Sequence, residues 1–171
     1  MRILFWGTPQ FAVPSLRALL GEGHDVVGVV TRPDRPTGRG RVLTPPPVKV
    51  VAEEEGLAVL QPERPRGEEF MRAVRALDPE LSVVVAYGQI LKPEVLELPE
   101  QGSINVHASL LPELRGAAPI HWAIMRGYAE TGITIMRMAE ELDAGPVLYQ
   151  VREPIGPDET ASELSHRLSE I

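Results

Sequence analysis

The sequence predicts an α/β fold, built on a doubly wound, mostly parallel sheet with antiparallel strands added near the C-terminus. Short apolar runs, typical of strands buried on both faces, alternate with segments whose apolar residues recur at helical spacing. Such alternation is typical of parallel strands joined by right-handed helical crossovers. The chain has 171 residues, of which 43% are hydrophobic, and this is enough for one domain with a sizeable core.

The first half of the chain supplies the parallel strands. Residues 3–6 are an apolar run ended by Gly7, and the phenylalanine and leucines of residues 11–20 follow at helical spacing. The same criteria predict further strands at residues 26–30, 57–60 and 81–86, and helices at residues 48–55 and 68–77.

The second half supplies the added strands and a last helix. A strand is predicted at residues 103–108, a helix at about 117–126, and two strands at 133–138 and 147–151. The alternating pattern of the last two strands favours an antiparallel pair. Thr160 and Glu163 match a capping box, so a final helix over residues 161–171 is expected to begin there.

Composition excludes several classes of protein. The chain contains no cysteine, which excludes disulfide frameworks, thiolate zinc sites, iron–sulfur clusters and cysteine nucleophiles. No apolar run reaches the length of a membrane span, and the N-terminus lacks the pattern of a signal peptide. A cytoplasmic location is therefore the expectation.

The glycine pattern excludes common nucleotide-binding motifs. The turn after the first strand, Gly7-Thr8-Pro9, lacks the second and third glycines of a dinucleotide fingerprint, so a nicotinamide cofactor is not expected. The chain contains no Gly-Lys pair for a P-loop and neither G-x-S-x-G nor H-E-x-x-H. Nucleotide hydrolases, α/β-hydrolases and zincins are thereby excluded.

A basic segment, residues 31–49, interrupts an otherwise acidic chain. Five basic residues and one aspartate give it a net charge of +4, against −7 for the whole chain. Its five prolines and two glycines predict an extended, mobile loop. Contact with the phosphates of a nucleic acid and a merely solvated surface are both compatible with this pattern. The segment has no aromatic residue, so the sequence does not support base stacking there.

Three polar residues are candidates for chemistry. Asn105 and His107 lie two residues apart at the end of a predicted strand, so both side chains project from one face. An amide can donate to an oxyanion while a neighbouring imidazole moves a proton, although ordinary hydrogen bonds at a polar strand end would also account for both residues. Asp143, between the last two predicted strands, is either a turn residue or part of the same site.

The loop at residues 109–116 carries two leucines, Leu110 and Leu111, that are expected to be exposed. A soluble loop has little reason to expose leucines unless they line a pocket. The loop therefore predicts a ligand-binding surface next to the strand that carries His107.

Residues 104–120, INVHASLLPELRGAAPI, together with Asp143 downstream, resemble the formyltransferase family that uses 10-formyltetrahydrofolate. The turn GTP-x-F-A, the basic stretch PDRP-x-GRGR and the strand ETGITIM resemble those members of the family that formylate methionyl initiator tRNA. The resemblance covers essentially the whole chain. It implies a Rossmann-like fold, 10-formyltetrahydrofolate as formyl donor, methionyl initiator tRNA as acceptor, and neither a metal, a membrane nor an obligate protein partner.

The resemblance also implies roles for individual residues. Asn105, His107 and Asp143 match the catalytic trio of the family. Its folate-binding positions correspond to Gly88, Gln89, Ile90, Leu91, Ser109, Leu110, Leu111 and Pro112. Its tRNA-binding loop corresponds to the stretch that carries Arg35, Arg39 and Arg41. The family has a smaller β-barrel domain after the catalytic one, and residues 1–171 are expected to be the catalytic domain without that barrel.

Two alternatives stay open at this point. The chain could be another folate-dependent formyltransferase, acting on a small amine such as glycinamide ribonucleotide or an amino-sugar nucleotide. It could also be an RNA-binding module without catalysis. The basic segment argues against the first alternative, because a small acceptor does not need it. The combination of Asn105, His107 and Asp143 argues against the second.

Overall fold

The first strand, β1 (Arg2–Gly7), is buried along its length after Arg2. Because successive side chains of a strand point to opposite faces, both faces of β1 are covered. β1 lies between β2 (Asp25–Val30) and β6 (Leu81–Val85) and is parallel to both. β5 (Val59–Leu60) extends the parallel sheet beyond β2, which gives the strand order β5-β2-β1-β6.

The computed structural model describes residues 1–171, which form two units, Met1–Ser103 and Ile104–Ile171. In the first unit, Trp6 makes edge-to-face contacts with Phe70 and Tyr87 within the core. The parallel strands are joined through helices: a 3-10 turn (Gln10–Ala12), α1 (Val13–Gly21), α2 (Pro47–Glu54), α3 (Glu68–Leu77) and α4 (Pro93–Leu96). No helix of the protein has the length and hydropathy needed to cross a membrane.

The strand order reverses between β1 and β6. The chain runs from β1 outward through β2 to β5 and then returns to the other side of β1. In open α/β sheets, ligands bind beyond the carboxyl ends of the strands at such a reversal. The close approach there requires Gly7, because a Cβ atom on it would lie 2.8 Å from the Cβ of Ala12 and 3.0 Å from the carbonyl oxygen of Val85. The ends of β1 and β6 therefore form the kind of edge at which open α/β sheets bind ligands.

The second unit is antiparallel. Its strand β7 (Ser103–His107), which begins at the boundary between the units, pairs with β8 (Glu130–Arg137), and β8 pairs with β9 (Val147–Pro154), both antiparallel. The unit also contains α5 (Pro119–Met125) and α6 (Ala161–Ser169), which contact each other. The α/β class and the mostly parallel sheet with antiparallel strands toward the C-terminus are thus confirmed.

The last helix begins at the predicted capping box. Thr160 Oγ1 accepts a hydrogen bond from the Glu163 N–H at 3.2 Å, and the Glu163 carboxylate accepts one from the Thr160 N–H at 2.8 Å. Leu164 and Leu168, one turn apart, are the buried residues of α6. The local sequence therefore fixes the first residue of this helix.

The basic segment has more order than its prolines suggest. β3 (Arg35–Thr37) and β4 (Val42–Thr44) form an antiparallel hairpin, so the prediction of an extended loop was wrong. The turn succeeds because Gly38 (φ 68°) and Arg41 (φ 47°) both adopt left-handed backbone conformations. Thr37 and Thr44 share a hydrogen bond between their hydroxyl oxygens, which are 2.5 Å apart.

Candidate active site

Asn105 and His107 project from the same face of β7, as the sequence predicts. In the register with β8, Asn105 lies opposite Met136 and His107 opposite Thr134. Asn105 is half-buried, and its side-chain amide forms no hydrogen bond with another group of the chain. Its donor and acceptor groups are therefore available to a ligand.

The imidazole of His107 is buried and has a partner at each ring nitrogen. Nε2 donates to the carbonyl oxygen of Leu114 at 2.9 Å, and because a carbonyl only accepts, Nε2 carries a hydrogen. Nδ1 lies 3.7 Å from Oδ2 of Asp143, and both side chains are 8% exposed. The distance between Nδ1 and Oδ2 is too long for a hydrogen bond, so Asp143 acts on the ring through its charge.

Asp143 is both a turn residue and the acidic neighbour of His107. It lies in the connection between β8 and β9 with a left-handed backbone (φ 52°), and its Oδ2 accepts a hydrogen bond from the Gly116 N–H at 2.8 Å. The same turn requires Gly145, because a Cβ atom there would lie 1.8 Å from the carbonyl oxygen of Arg137. The two interpretations of Asp143 that the sequence left open are therefore compatible.

The hydroxyl of Thr134 and the amide of Gln150 help to hold the loop after His107. Thr134 Oγ1 donates to the carbonyl oxygen of Ser109 at 2.6 Å and accepts from the Leu111 N–H at 3.1 Å. Gln150 Nε2 lies 2.9 Å from both Thr134 Oγ1 and the carbonyl oxygen of Leu111. The sequence analysis missed Thr134 and Gln150. A fully buried threonine opposite the candidate histidine is the signal that identifies Thr134 once the strand register is known.

The two leucines of this loop are not exposed, so that part of the prediction was wrong. Leu111 is 8% exposed and Leu110 is half-buried. Leu110 packs over Gly132, where a Cβ atom would approach its Cδ2 to 2.7 Å. The missing side chain of Gly132 makes room for the leucine, and of the four candidate folate residues in this loop only Pro112 is exposed.

The other candidate folate segment lies in the first unit, directly after β6. The backbone N–H and C=O groups of Gly88, Gln89, Ile90 and Leu91 form no hydrogen bonds within the chain. Gly88 has a φ of 93°, and the side chain of Ile90 is 78% exposed. Backbone groups of this kind need partners from water or a ligand, so the segment can receive a polar ring through its main chain.

The hairpin presents the candidate tRNA-binding residues to solvent. Arg35, Arg39 and Arg41 are exposed and form no ion pair. Lys49, which belongs to α2, instead binds Asp34 at 3.0 Å. Because this pair cancels one charge of each sign, the +4 net charge of the basic segment comes from its four arginines, Arg32, Arg35, Arg39 and Arg41.

No cluster of three or more His, Asp or Glu side chains in the protein could hold a metal ion. The side chains of Asn105, His107 and Asp143 are of types that can form hydrogen bonds, and the imidazole and carboxylate can transfer protons.

Residues 1–171 match the family described as formyl transferase. The methionyl-tRNA formyltransferase of Moorella thermoacetica is 54% identical over 171 residues, which are 100% of this chain and 55% of that protein. The methionyl-tRNA formyltransferase of Bacillus thuringiensis is 58% identical over 170 residues, covering 99% of this chain and 54% of that protein. The chain thus spans about half the length of the curated relatives it matches.

Solved structures share the fold. Phosphoribosylglycinamide formyltransferase from Bacillus halodurans superposes with a TM-score of 0.80 at 20% identity, covering 98% of this chain and 87% of that chain. Glycinamide ribonucleotide transformylase 1 from Geobacillus kaustophilus gives a TM-score of 0.78 at 25% identity, covering 99% and 90%. The chain belongs to the formyl transferase family.

Proposed function

We propose that this chain transfers the formyl group of 10-formyltetrahydrofolate to the free amino group of methionyl initiator tRNA. One observation carries the proposal: the unpaired amide of Asn105 shares a strand face with His107, whose ring contacts the carboxylate of Asp143. Family membership and the names of the relatives from Moorella thermoacetica and Bacillus thuringiensis support it. Residues 1–171 are proposed to form the catalytic domain, and the cytoplasm is the proposed location of the reaction.

The reaction begins with attack of the α-amine of methionine on the formyl carbon. A carbon–nitrogen bond forms, and the formyl oxygen becomes an oxyanion. The amide N–H of Asn105 donates to this oxygen, and a donor of this kind lowers a barrier by about 3–4 kcal/mol. Collapse of the intermediate breaks the bond between the formyl carbon and N10 of the folate. The amine loses one proton and N10 gains one, so the step is balanced.

His107 is proposed to donate a hydrogen bond to the oxyanion. Together with Asp143, it is also proposed to move the proton from the attacking amine to N10 of the folate. Both ring nitrogens face protein groups, Leu114 and Asp143. One of these contacts must therefore be exchanged for substrate when the ring acts. The hydrogen bond from Gly116 holds the Asp143 carboxylate in place during this exchange.

Folate binding is assigned to the two segments described above. The main chain of Gly88, Gln89, Ile90 and Leu91 would receive the polar edge of the pterin ring. Contacts in the second unit are proposed for Ser109, Leu110, Leu111 and Pro112, a loop that Thr134 and Gln150 hold in one conformation. The formyl donor brings the activated carbon, so the protein supplies orientation and electrostatics.

Binding of the tRNA acceptor end is assigned to the hairpin arginines Arg35, Arg39 and Arg41. Their exposure and their lack of acidic partners support contact with phosphates.

The decisive experiment supplies 10-formyltetrahydrofolate and one of three acceptors: methionyl initiator tRNA, glycinamide ribonucleotide or an amino-sugar nucleotide. Single-turnover formylation of methionyl-tRNA alone is the expected result. Asn105→Ala tests whether the candidate site carries out this reaction. It should lower the rate by roughly two to three orders of magnitude with an unchanged melting temperature, because the amide bonds to nothing in the chain. Formylation of either small acceptor in place of methionyl-tRNA would overturn the proposal.

A further inference from the structure

Arg32, the second residue after β2, has a guanidinium group without a partner. Its Nε atom is buried and forms no hydrogen bond, and the side chain makes no ion pair. Arg32 is half-buried as a residue, but burying the Nε–H group of its guanidinium without a hydrogen-bond acceptor is unfavourable. A cation in this state is suited to bind an anion that comes from outside the chain.

The backbone of Arg32 is held on both sides, which fixes the point from which its side chain starts. Its N–H donates to Thr8 Oγ1 at 3.3 Å, and its carbonyl oxygen accepts from Gln61 Nε2 at 3.1 Å and from Thr31 Oγ1 at 3.0 Å. Thr8 Oγ1 also donates to the carbonyl oxygen of Tyr87 at 2.8 Å. This network ties together the carboxyl ends of β1, β2 and β6, where the strand order reverses.

The side chain of Arg32 lies directly against Gly88. A Cβ atom on Gly88 would lie 3.1 Å from Arg32 Cδ and 3.4 Å from Nη1. The guanidinium therefore borders the candidate pterin segment and lies in the same unit as the hairpin. An anion bound by this guanidinium would lie next to Gly88.

Asp34, the acidic residue nearest to Arg32 in the sequence, already has hydrogen-bond partners. Asp34 accepts from Gln61 Nε2 at 2.7 Å and from Lys49 Nζ at 3.0 and 3.1 Å. The hydrogen bond from Gln61 and the bond to Lys49 hold the pKa of Asp34 below its ordinary value, so its carboxylate stays charged and paired. The chain thus neutralises Lys49 and leaves Arg32 unneutralised.

We propose that Arg32 binds a phosphodiester group of the tRNA acceptor end. Arg32 precedes Arg35, Arg39 and Arg41 in the same basic segment and lies where the strand order reverses. The inference rests on the proposed function for its ligand. A guanidinium fork matches phosphate and carboxylate alike, so the glutamate tail of the folate is the other possible source of the anion. The adjoining arginines without acidic partners favour the polyanion, because one folate tail cannot neutralise them all.

The test compares wild type with Arg32→Gln, Arg32→Lys and the control Arg72→Gln, which removes an exposed arginine from α3. Binding of fluorescein-labelled initiator tRNA is followed by anisotropy over a series of salt concentrations, and folate binding by calorimetry with 10-formyltetrahydrofolate. Arg32→Gln should weaken tRNA binding about tenfold or more and reduce the salt slope by about one contact. Arg32→Lys should recover the salt slope but only part of the affinity. Folate affinity should not change.

Three results overturn the inference. One is a salt slope in Arg32→Gln equal to that of wild type and Arg72→Gln. Another is a loss confined to folate affinity, which would assign Arg32 to the carboxylate tail. A third applies if Arg32→Gln is unfolded, so that only Arg32→Lys can be measured. In that case, tRNA binding by Arg32→Lys with wild-type affinity at every salt concentration would overturn the inference. The proposed function fails separately, if wild type binds tRNA through Arg32 and yet transfers no formyl group to it.

Discussion

The carboxylate of Asp143 faces the side of the His107 ring opposite the one that donates to Leu114. Oδ2 of Asp143 lies 3.7 Å from Nδ1, while Nε2 lies 2.9 Å from the Leu114 carbonyl oxygen. The ring is therefore held between an acceptor that is always neutral and one that is charged. The arrangement puts a carboxylate where its charge acts on the Nδ1 side of the ring.

Asp143→Asn tests that relationship. The amide oxygen can still accept from Gly116, so the turn should persist, but the negative charge next to His107 is lost. Single-turnover formylation should slow, and the pH dependence of its rate should change. The exposed Asp158→Asn is the control for loss of one negative charge. A normal rate with an unaltered pH profile would reduce Asp143 to a turn residue.

Gly145→Ala should disturb the same site through the backbone. A Cβ atom at this position would overlap the carbonyl oxygen of Arg137, so the turn that carries Asp143 must shift. We expect a loss of at least about 2 kcal/mol in the free energy of unfolding, together with reduced activity. Gly21→Ala is the control, because nothing lies within 4 Å of its Cβ position. Urea denaturation of both variants gives the comparison, and equal midpoints would contradict the steric argument.

Thr134→Val should separate the hydroxyl from the shape of the side chain. Valine fills the same volume but leaves the Ser109 carbonyl, the Leu111 N–H and Gln150 without their common partner. Unfolding free energy should fall by roughly 1–3 kcal/mol, and folate affinity should fall with it. Thr134→Ser retains the hydroxyl and should recover folate affinity. Wild-type folate binding by Thr134→Val would show that the hydroxyl does not hold this loop.

Acid should weaken the start of α6. The Thr160 backbone N–H, followed by the Thr160 hydroxyl, lowers the pKa of Glu163 from its ordinary 4.5, and Arg167 lowers that of Glu159. A lowered folded-state pKa means that the unfolded chain binds protons first. The stabilisation is therefore present above the ordinary value and is lost as the pH falls through the folded value.

Melting temperatures measured from about pH 6 to about pH 3 should show this loss. Glu163→Gln should melt lower at the upper end of the range and lose less on acidification. Glu100→Gln, which alters an exposed glutamate outside any helix cap, should follow the wild-type curve. Parallel curves for Glu163→Gln and wild type would exclude Glu163 as a source of the pH dependence.

Local patterns account for the parts of the structure that the sequence predicted. The apolar run of β1 and the capping box of Thr160 and Glu163 each involve only a few neighbouring residues. They can therefore be recognised in the sequence without knowledge of the fold. The spacing of Asn105 and His107 likewise follows from the period of a strand.

The parts that sequence reasoning missed depend on contacts between distant residues. Thr134 becomes recognisable only in its register with His107, 27 residues earlier. Leu111 was expected to be exposed because its burial depends on the loop folding back onto β8. The hairpin of β3 and β4 was not predicted because the segment is rich in proline. Pro36 nevertheless lies within β3, since both strands of a two-stranded ladder are edge strands and edge strands accommodate proline.

The hairpin also gives this protein an uneven distribution of charge. The chain has a net charge of −7 and a sequence pI of about 5.2, yet Arg35, Arg39 and Arg41 form a patch of positive potential without nearby acidic partners. Such a molecule will orient itself in the field of any polyanion before contact, and its encounter rate will fall as salt screens the patch. It should therefore be retained by immobilised heparin at a pH where its total charge predicts repulsion. Any polyanion will attract the same patch, so discrimination between polyanions has to come from contacts other than charge.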